Sequence, residues 1–435
     1  MTENIIKDGM GRFFEFLIKT NVLCVSIMKG IIMLRVLKFM LLGTMLFLSV
    51  SNFAQAQGIM LRGIGAVNDS MAGTGIATPL DAAGAIYTNP ASISGLKECQ
   101  IGFDLGVIMP HSTVTSGGYT SNSNAGQIPA PTMSLVFRDC PHSRVTYGLA
   151  IAGVGGAASL YSADPNPILL GKAKAANVQI FEIMPTVSYK ATNRLALGFS
   201  PIIGLASLSI NPMQLGMPFG DSMENFGTRY TWGGGFNLGA YYDLNSCWKT
   251  GVTFKSPVWT KPLEYSGINT STGLADEAEF AINLPMSLGW GISYSGIKKT
   301  IIGFDVRYMD YANTQGFGDI IDGGRINGLG WDSVWAFSTG VERTLSDRLK
   351  VRAGYCYNTN PIPSESQWAN VGSPLVMQHV LGLGGTITLP KSIDAHIAWT
   401  HAFQNKVSGY DPNGTLKVTN TAYADTLIAG ITKRF

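Results

Sequence analysis

The side chains best placed for chemistry fall on alternating positions of apolar, strand-like segments: Glu182, Asp305, Arg307, Glu342, Lys350, Arg352, Asp394 and His396. In Ile302-Gly303-Phe304-Asp305-Val306-Arg307-Tyr308 the even positions are apolar, and in Leu349–Tyr357 the odd ones are. Successive side chains of a strand point to opposite faces, so the charged set shares the face opposite the apolar one. Buried charges need partners, and a network of ion pairs bracing a wall is the expected use of most of them. A guanidinium matches a carboxylate bidentately. Arg307 is the candidate for holding a carboxylate ligand, because Lys350 and Arg352 sit close to a tight turn.

Catalysis finds less support. The five histidines are scattered, and none joins a serine and an orienting third group as nucleophilic catalysis requires. The five cysteines form no Cys-x-x-Cys or Cys/His cluster. No enzyme, metal site or cofactor is expected.

The elements that carry these residues repeat one unit from Cys99 onward: an amphipathic strand, a connection, another strand. Tight connections are Asp139–His142, Ala191–Asn193, Leu244–Ser246, Ser295–Lys298, Ser346–Arg348 and Leu389–Lys391. They alternate with long ones near residues 116–128, 155–176, 212–227, 267–278, 314–330, 361–375 and 404–420. Thirteen connections imply fourteen strands. Short turns at one end and long loops at the other give the rhythm of an outer-membrane barrel. The apolar faces end in Tyr and Trp, as interfacial girdles do, which argues against a soluble sandwich. Tyr423, Leu427, Ala429, Ile431 and the terminal Phe435 share one face of the last strand. Such an ending resembles the signal read by the outer-membrane assembly machinery. The expected fold is all-β, a transmembrane antiparallel barrel of about 14 strands.

Composition agrees. Charged residues make up 14% and hydrophobic ones 46%, with 52 glycines; soluble proteins carry about 25% charged residues. Yet no stretch outside the leader approaches the roughly 20 apolar residues of a spanning helix. The leader, residues 1–56, ends in a signal peptide: Arg35 and Lys38, the apolar run Phe39–Val50, and the A-x-A site Ala54-Gln55-Ala56. The mature chain is expected to begin at Gln57. The start is expected at Met28 or Met33, a long basic region being the alternative. Six of the 31 basic and three of the 28 acidic residues lie in the leader, which leaves 25 of each. A neutral mature chain gives no reason to expect nucleic acid. Export places Cys99 and Cys140 in an oxidising compartment, at facing ends of the first hairpin. A disulfide between them is one expectation and two free thiols the other.

Residues 57–97 lack clean alternation, yet Ile59, Leu61, Ile64, Val67, Met71, Ile76, Leu80, Ile86 and Tyr87 make them too apolar for a solvated linker. Three parts, Gly63-Ile64-Gly65-Ala66, Asp81-Ala82-Ala83-Gly84 and Asn89-Pro90-Ala91, resemble the N-terminal hatch of the FadL/TodX outer-membrane transporter family. The resemblance implies a hatch (57–97) plugging a barrel (98–435) from the periplasmic side, with Asp81, Gly84, Asn89, Pro90 and Ala91 in gating. It implies passive uptake of hydrophobic molecules such as long-chain fatty acids or hydrocarbons. In that family the third strand bends inward and leaves a gap; carried over, Gly153, Gly155 and Gly156 form a lateral exit. The alternative is a strand ending in a Gly-rich loop. The expected setting is a monomer among outer-membrane lipids.

The loops 157–176 and 211–226 carry Leu160, Tyr161, Ile168, Leu169, Leu170, Met213, Leu215, Met217, Phe219, Met223 and Phe226. Exposed loops this apolar are costly unless they fold on each other or hold an apolar ligand. Leu160, Leu169, Met213, Met217 and Phe219 are therefore candidate ligand contacts, and the family's matching loops form a capture groove. The second loop is shorter than the family's helical hairpin. A porin for polar solutes and a surface adhesin are the competing functions.

Overall fold

The computed structural model describes residues 57–435 except 141, 212, 215–221, 225–226, 270–271, 319–320, 323–324 and 327. The leader and its cleavage site lie outside the described residues.

Two-residue alternation builds a ring of fourteen strands. They are β1 Gln100–Ser116, β2 Ile128–Phe137, β3 Val145–Tyr161, β4 Lys174–Lys190, β5 Leu195–Asn211, β6 Arg229–Asp243 and β7 Trp248–Lys255. Then come β8 Ser287–Tyr294, β9 Thr300–Met309, β10 Val334–Thr344, β11 Leu349–Asn358, β12 His379–Leu389, β13 Ile393–Tyr410 and β14 Lys417–Arg434. Each strand pairs antiparallel with its neighbour in sequence. The ring closes where Gln100 of β1 faces Arg434 of β14. Closure leaves no unpaired edge, the condition for strands to cross a bilayer.

The wall sorts side chains by parity. In β10, Trp335, Phe337 and Val341 face out while Val334, Ala336, Ser338 and Glu342 are buried. Leu427 and Ile431 of β14 also face out, both about half exposed. Leaving one such side chain in water forgoes about 1.5–3 kcal/mol, so a belt of them requires lipid. Tyr189, Tyr242 and Trp248 are exposed near the tight-turn end, and Tyr230, Trp232 and Trp259 near the other, where amphipathic rings meet headgroups.

Two departures from a plain barrel matter for the site. Strand β3 pairs with β2 only as far as Thr132 opposite Ala152. Its register with β4 slips between Gly153 and Gly155, and from Ile151 to Ser159 every residue is buried. At the loop end, residues 213–214, 222–224, Leu263–Asn269 and Ala275–Phe280 form a separate four-stranded sheet.

Residues 57–97 are irregular, with two short helices, α1 Gly65–Ser70 and α2 Ala82–Thr88, and a 3-10 turn over Pro90–Gly95. Asn89 ends α2 in an extended conformation and caps the turn that follows. Proline at the first position of that turn forfeits only an N–H that has no helical partner.

Candidate functional site

The N-terminal segment touches strands on every side of the ring. Ala66 N donates to Asp104 of β1 at 3.0 Å. Met71 lies against Gly340 of β10 and Gly354 of β11, and Ser70 against Gly382 and Gly384 of β12. Gly75 and Ile76 reach Asp305 of β9, and Ile86 packs on Gly148 of β3. The segment thus lies against β1, β3, β9, β10, β11 and β12 of one closed ring. Residues 57–78 are buried throughout.

The Asn89-Pro90-Ala91 motif is where this segment meets the wall. Asn89 is fully buried. Its Oδ1 accepts from Ala91 N at 3.0 Å. Its Nδ2 donates to Ile76 O at 2.9 Å within the segment and to Ala240 O of β6 at 3.0 Å. Ser188 of β4 donates to Ala91 O at 2.9 Å. The wall makes room by omitting side chains: a Cβ on Gly198 would strike the Pro90–Ala91 backbone, and one on Gly239 the Asn89 side chain. Asp81 precedes α2 in an extended conformation. Gly84 keeps α2 close to Asn68, since a Cβ there would lie 2.7 Å from that of Asn68.

Strand β9 supplies a second attachment. Asp305 Oδ2 accepts from Gly75 N at 2.7 Å and Ile76 N at 3.0 Å. Arg307 Nη1 donates to Arg62 O at 2.6 Å, and its Nη2 to Gly73 O. Nη2 also lies 3.7 Å from Asp305 Oδ2. The guanidinium expected to hold a ligand carboxylate thus holds backbone carbonyls of the N-terminal segment.

The other inward charges pair with one another. Lys255 Nζ reaches both Glu182 oxygens at 2.7 Å. Arg352 Nε meets Glu342 at 2.7 Å and its Nη1 donates to Thr386. Thr386 and Thr432 bond the two ring nitrogens of His396, and Arg434 bridges Asp394 and Glu98. This is the bracing network that parity implied.

At the β3 irregularity, residues 59–61 of the N-terminal segment pair with the wall. Leu61 N donates to Val154 O at 2.7 Å and Gly156 N to Ile59 O at 2.9 Å. A Cβ on Gly155 would lie 2.6 Å from Ile59 O. Gly153, Gly155 and Gly156 therefore sit in a continuous strand with a bulge, where the wall's pairing to β2 has ceased, and not in a terminal loop.

Ile59 also floors a cavity of about 160 Å³ under the long loops. Phe280, Phe317, Trp331, Trp368 and Val371 line it. Tyr311, Phe317 and Trp331 pack ring to ring with centroids 4.9–5.4 Å apart. Lys174 is the one charged residue among the described lining, and its Nζ donates to Ile168 O at 2.8 Å.

The candidate ligand residues divide. Leu169 is buried with Tyr161, Ile168, Trp368 and Val371 in a cluster beside the cavity, so the loop at 157–176 packs against the loop at 361–375. Leu160 is 46% exposed and does not line the cavity, a correction to its expected place. Met213 begins a two-residue strand paired with Met223. Met217 and Phe219 lie outside the described residues. At the β13–β14 tip, Asp411 accepts from the Leu416 and Thr415 N–H groups at 2.7 Å, which holds its carboxyl below the usual carboxylate range. Cys99, Cys140, Cys247 and Cys356 are free thiols. The Cys99–Cys140 bridge is not formed; Cys99 Sγ instead accepts from Arg138 N at 3.3 Å.

Sequence reasoning missed Asn68, Asp104 and Tyr311. Asn68 organises the segment, accepting from Ile64 N and donating to Thr74 O. Tyr311 donates to Gln57 O at 2.7 Å. For Asp104 alone a signal was available, as the one carboxylate on its strand, set among the apolar residues Ile101–Met109.

The family model for outer membrane protein transport proteins (OMPP1/FadL/TodX) matches residues 47–435. Among curated proteins, none matches the sequence. Solved structures share the fold. A Pseudomonas aeruginosa FadL homologue superposes with a TM-score of 0.72 at 14% identity, covering 87% of this chain and all of the other. The P. putida toluene transporter TodX gives 0.67 at 17% identity, covering 86% and 99%. The monoaromatic hydrocarbon channel CymD gives 0.58 at 19% identity, covering 86% and 98%.

Proposed function

Because the chain belongs to the OMPP1/FadL/TodX family of outer membrane transport proteins, we propose that it is a passive channel for small hydrophobic molecules, with residues 57–97 as its gate. The supporting observation is the cavity floored by Ile59, whose lining is mostly aromatic and aliphatic. A polar-solute porin needs an open, wet lumen instead.

Size narrows the cargo. An engineered cavity of about 150 Å³ lined by Leu, Ile and Phe takes up benzene. A space of about 160 Å³ suits a one-ring hydrocarbon or a short piece of an alkyl chain. Aromatic walls favour the ring through edge-to-face contacts of about 0.5–1.5 kcal/mol each. The toluene transporter and the monoaromatic hydrocarbon channel that share the fold agree with this reading.

Passage follows from the contacts. Cargo enters between the long loops and settles on Ile59. The Ile59–Leu61 strip separates the cavity from the β3 bulge through three bonds or contacts to Val154, Gly155 and Gly156. Releasing this strip joins the cavity to the stretch where β3 no longer pairs with β2, which is the lateral exit. Successive weak sites suit such passage, since a tight one would trap the ligand.

The test is uptake by cells lacking their own hydrocarbon channels, with labelled toluene, oleate and a small sugar. Toluene uptake that exceeds the vector control and falls in Gly155→Leu, with no sugar flux, is the expected result. Sugar flux that ignores the substitution would overturn the reading in favour of a porin.

A further inference from the structure

At the tight-turn end, away from the cargo cavity, a second cavity of about 280 Å³ opens between the end of the N-terminal segment and the turns. Lys97, Arg138, Lys190, Arg194 and Lys249 line it, and Asp243 is the one carboxylate among the described lining residues. Arg138 is structurally engaged, donating to Thr146 at 2.9 Å and to the carbonyls of Ile93, Ser94 and Leu96. Lys249 lies 3.4 Å from Asp243 and 5.4 Å from the centre of the Tyr241 ring. The fold thus gathers four further cations around one carboxylate, and such like-charge crowding raises its energy. Beside them the Tyr241 hydroxyl is buried, lines the cavity and has Lys249 for a neighbour but no acceptor for its own proton. Buried hydroxyls without partners are uncommon and often mark an unseen ion or water.

We propose that this cavity is a binding site for one oxyanion, a carboxylate or a phosphate group, at the periplasmic mouth of the barrel. Lys190, Arg194, Lys249 and the Tyr241 hydroxyl all offer donors, and the acceptor that an incoming anion must compete with is Asp243, 3.4 Å from Lys249. The volume is several times the roughly 30 Å³ share of one water, so a hydrated phosphate fits. The site touches Ser94 to Lys97, where the N-terminal segment joins β1, so its occupant would fasten the base of the gate. Nothing in this inference depends on what the cargo is.

The test is lysine acylation, read by mass spectrometry, on the full chain purified from outer membranes in non-ionic detergent or set in vesicles. Lys298, at another tight turn, is the reference. Sodium decanoate, inorganic phosphate and vesicles of phosphatidic acid are the anionic probes; decanol and phosphatidylcholine vesicles are the neutral ones. The expected result is slower labelling of Lys190 and Lys249, but not Lys298, with an anionic probe only. Lys249→Gln should weaken protection of Lys190 by about tenfold or more, the effect of losing one charged hydrogen bond. Protection by decanoate or phosphate in solution identifies a free anion, and protection by phosphatidic acid vesicles alone a lipid headgroup; either supports the site. Equal labelling with every probe, or equal protection by the neutral ones, would overturn it.

Discussion

Asn89 of the N-terminal segment and Ala240 of the barrel wall are joined by one hydrogen bond, Nδ2 to backbone O, at 3.0 Å. The same amide holds Ile76 O and Ala91 N, so one buried side chain ties the two halves of the segment to each other and to β6.

Removing it leaves Ile76 O and Ala91 N without their partner and takes a bond from Ala240 O, which stays in the β6–β7 ladder. Asn89→Ala should cost on the order of 3 kcal/mol, at about 1–3 kcal/mol for each group left unsatisfied, shared between segment and wall. Trypsin should cut within residues 57–97 faster while the strands stay resistant. Unchanged cleavage would show that the motif does not fasten the N-terminal segment to the wall.

Gly239 makes the Asn89 contact possible because it has no side chain, whereas Gly234 on the same strand faces open space. Gly239→Ala should therefore displace Asn89 and admit ion leakage in planar bilayers. Gly234→Ala should be close to silent, within about 0.5 kcal/mol. Equal effects of the two would refute the packing argument.

Asp305 and Arg307 hold adjoining peptides of the loop at 73–76. Arg307→Met strands a buried carboxylate, which costs about 3 kcal/mol even with two N–H groups still bound to it. Asp305→Asn in that background should restore part of the loss, because the unpaired charge disappears. A double-mutant cycle by urea titration measures the coupling; strictly additive losses would mean that the two side chains act separately.

Cys99 and Cys140, as free thiols, should react with a maleimide without prior reduction. Cys356, fully buried beside Gln57, should react only after unfolding. A label on Cys99 and Cys140 that requires reductant would restore the bridge.

The strand count, the closed barrel and the inward set of charges were legible in the sequence because they are local. Alternation with a period of two and the spacing of turns are written residue by residue, and parity alone turns Glu342 and Arg352 to one face. The apolar, irregular stretch before the first strand also declared itself by composition. What those groups touch was decided by the tertiary structure. Parity sends Arg307 into the lumen but does not say that Arg62 and Gly73 will be there to meet it. Asn89 and Ala240 stand 151 positions apart, a pairing that exists only once the ring has closed around the segment. Leu160 shows the limit most directly: apolarity marked it and Leu169 alike as ligand contacts, and only the packing of the loops leaves the first exposed and buries the second.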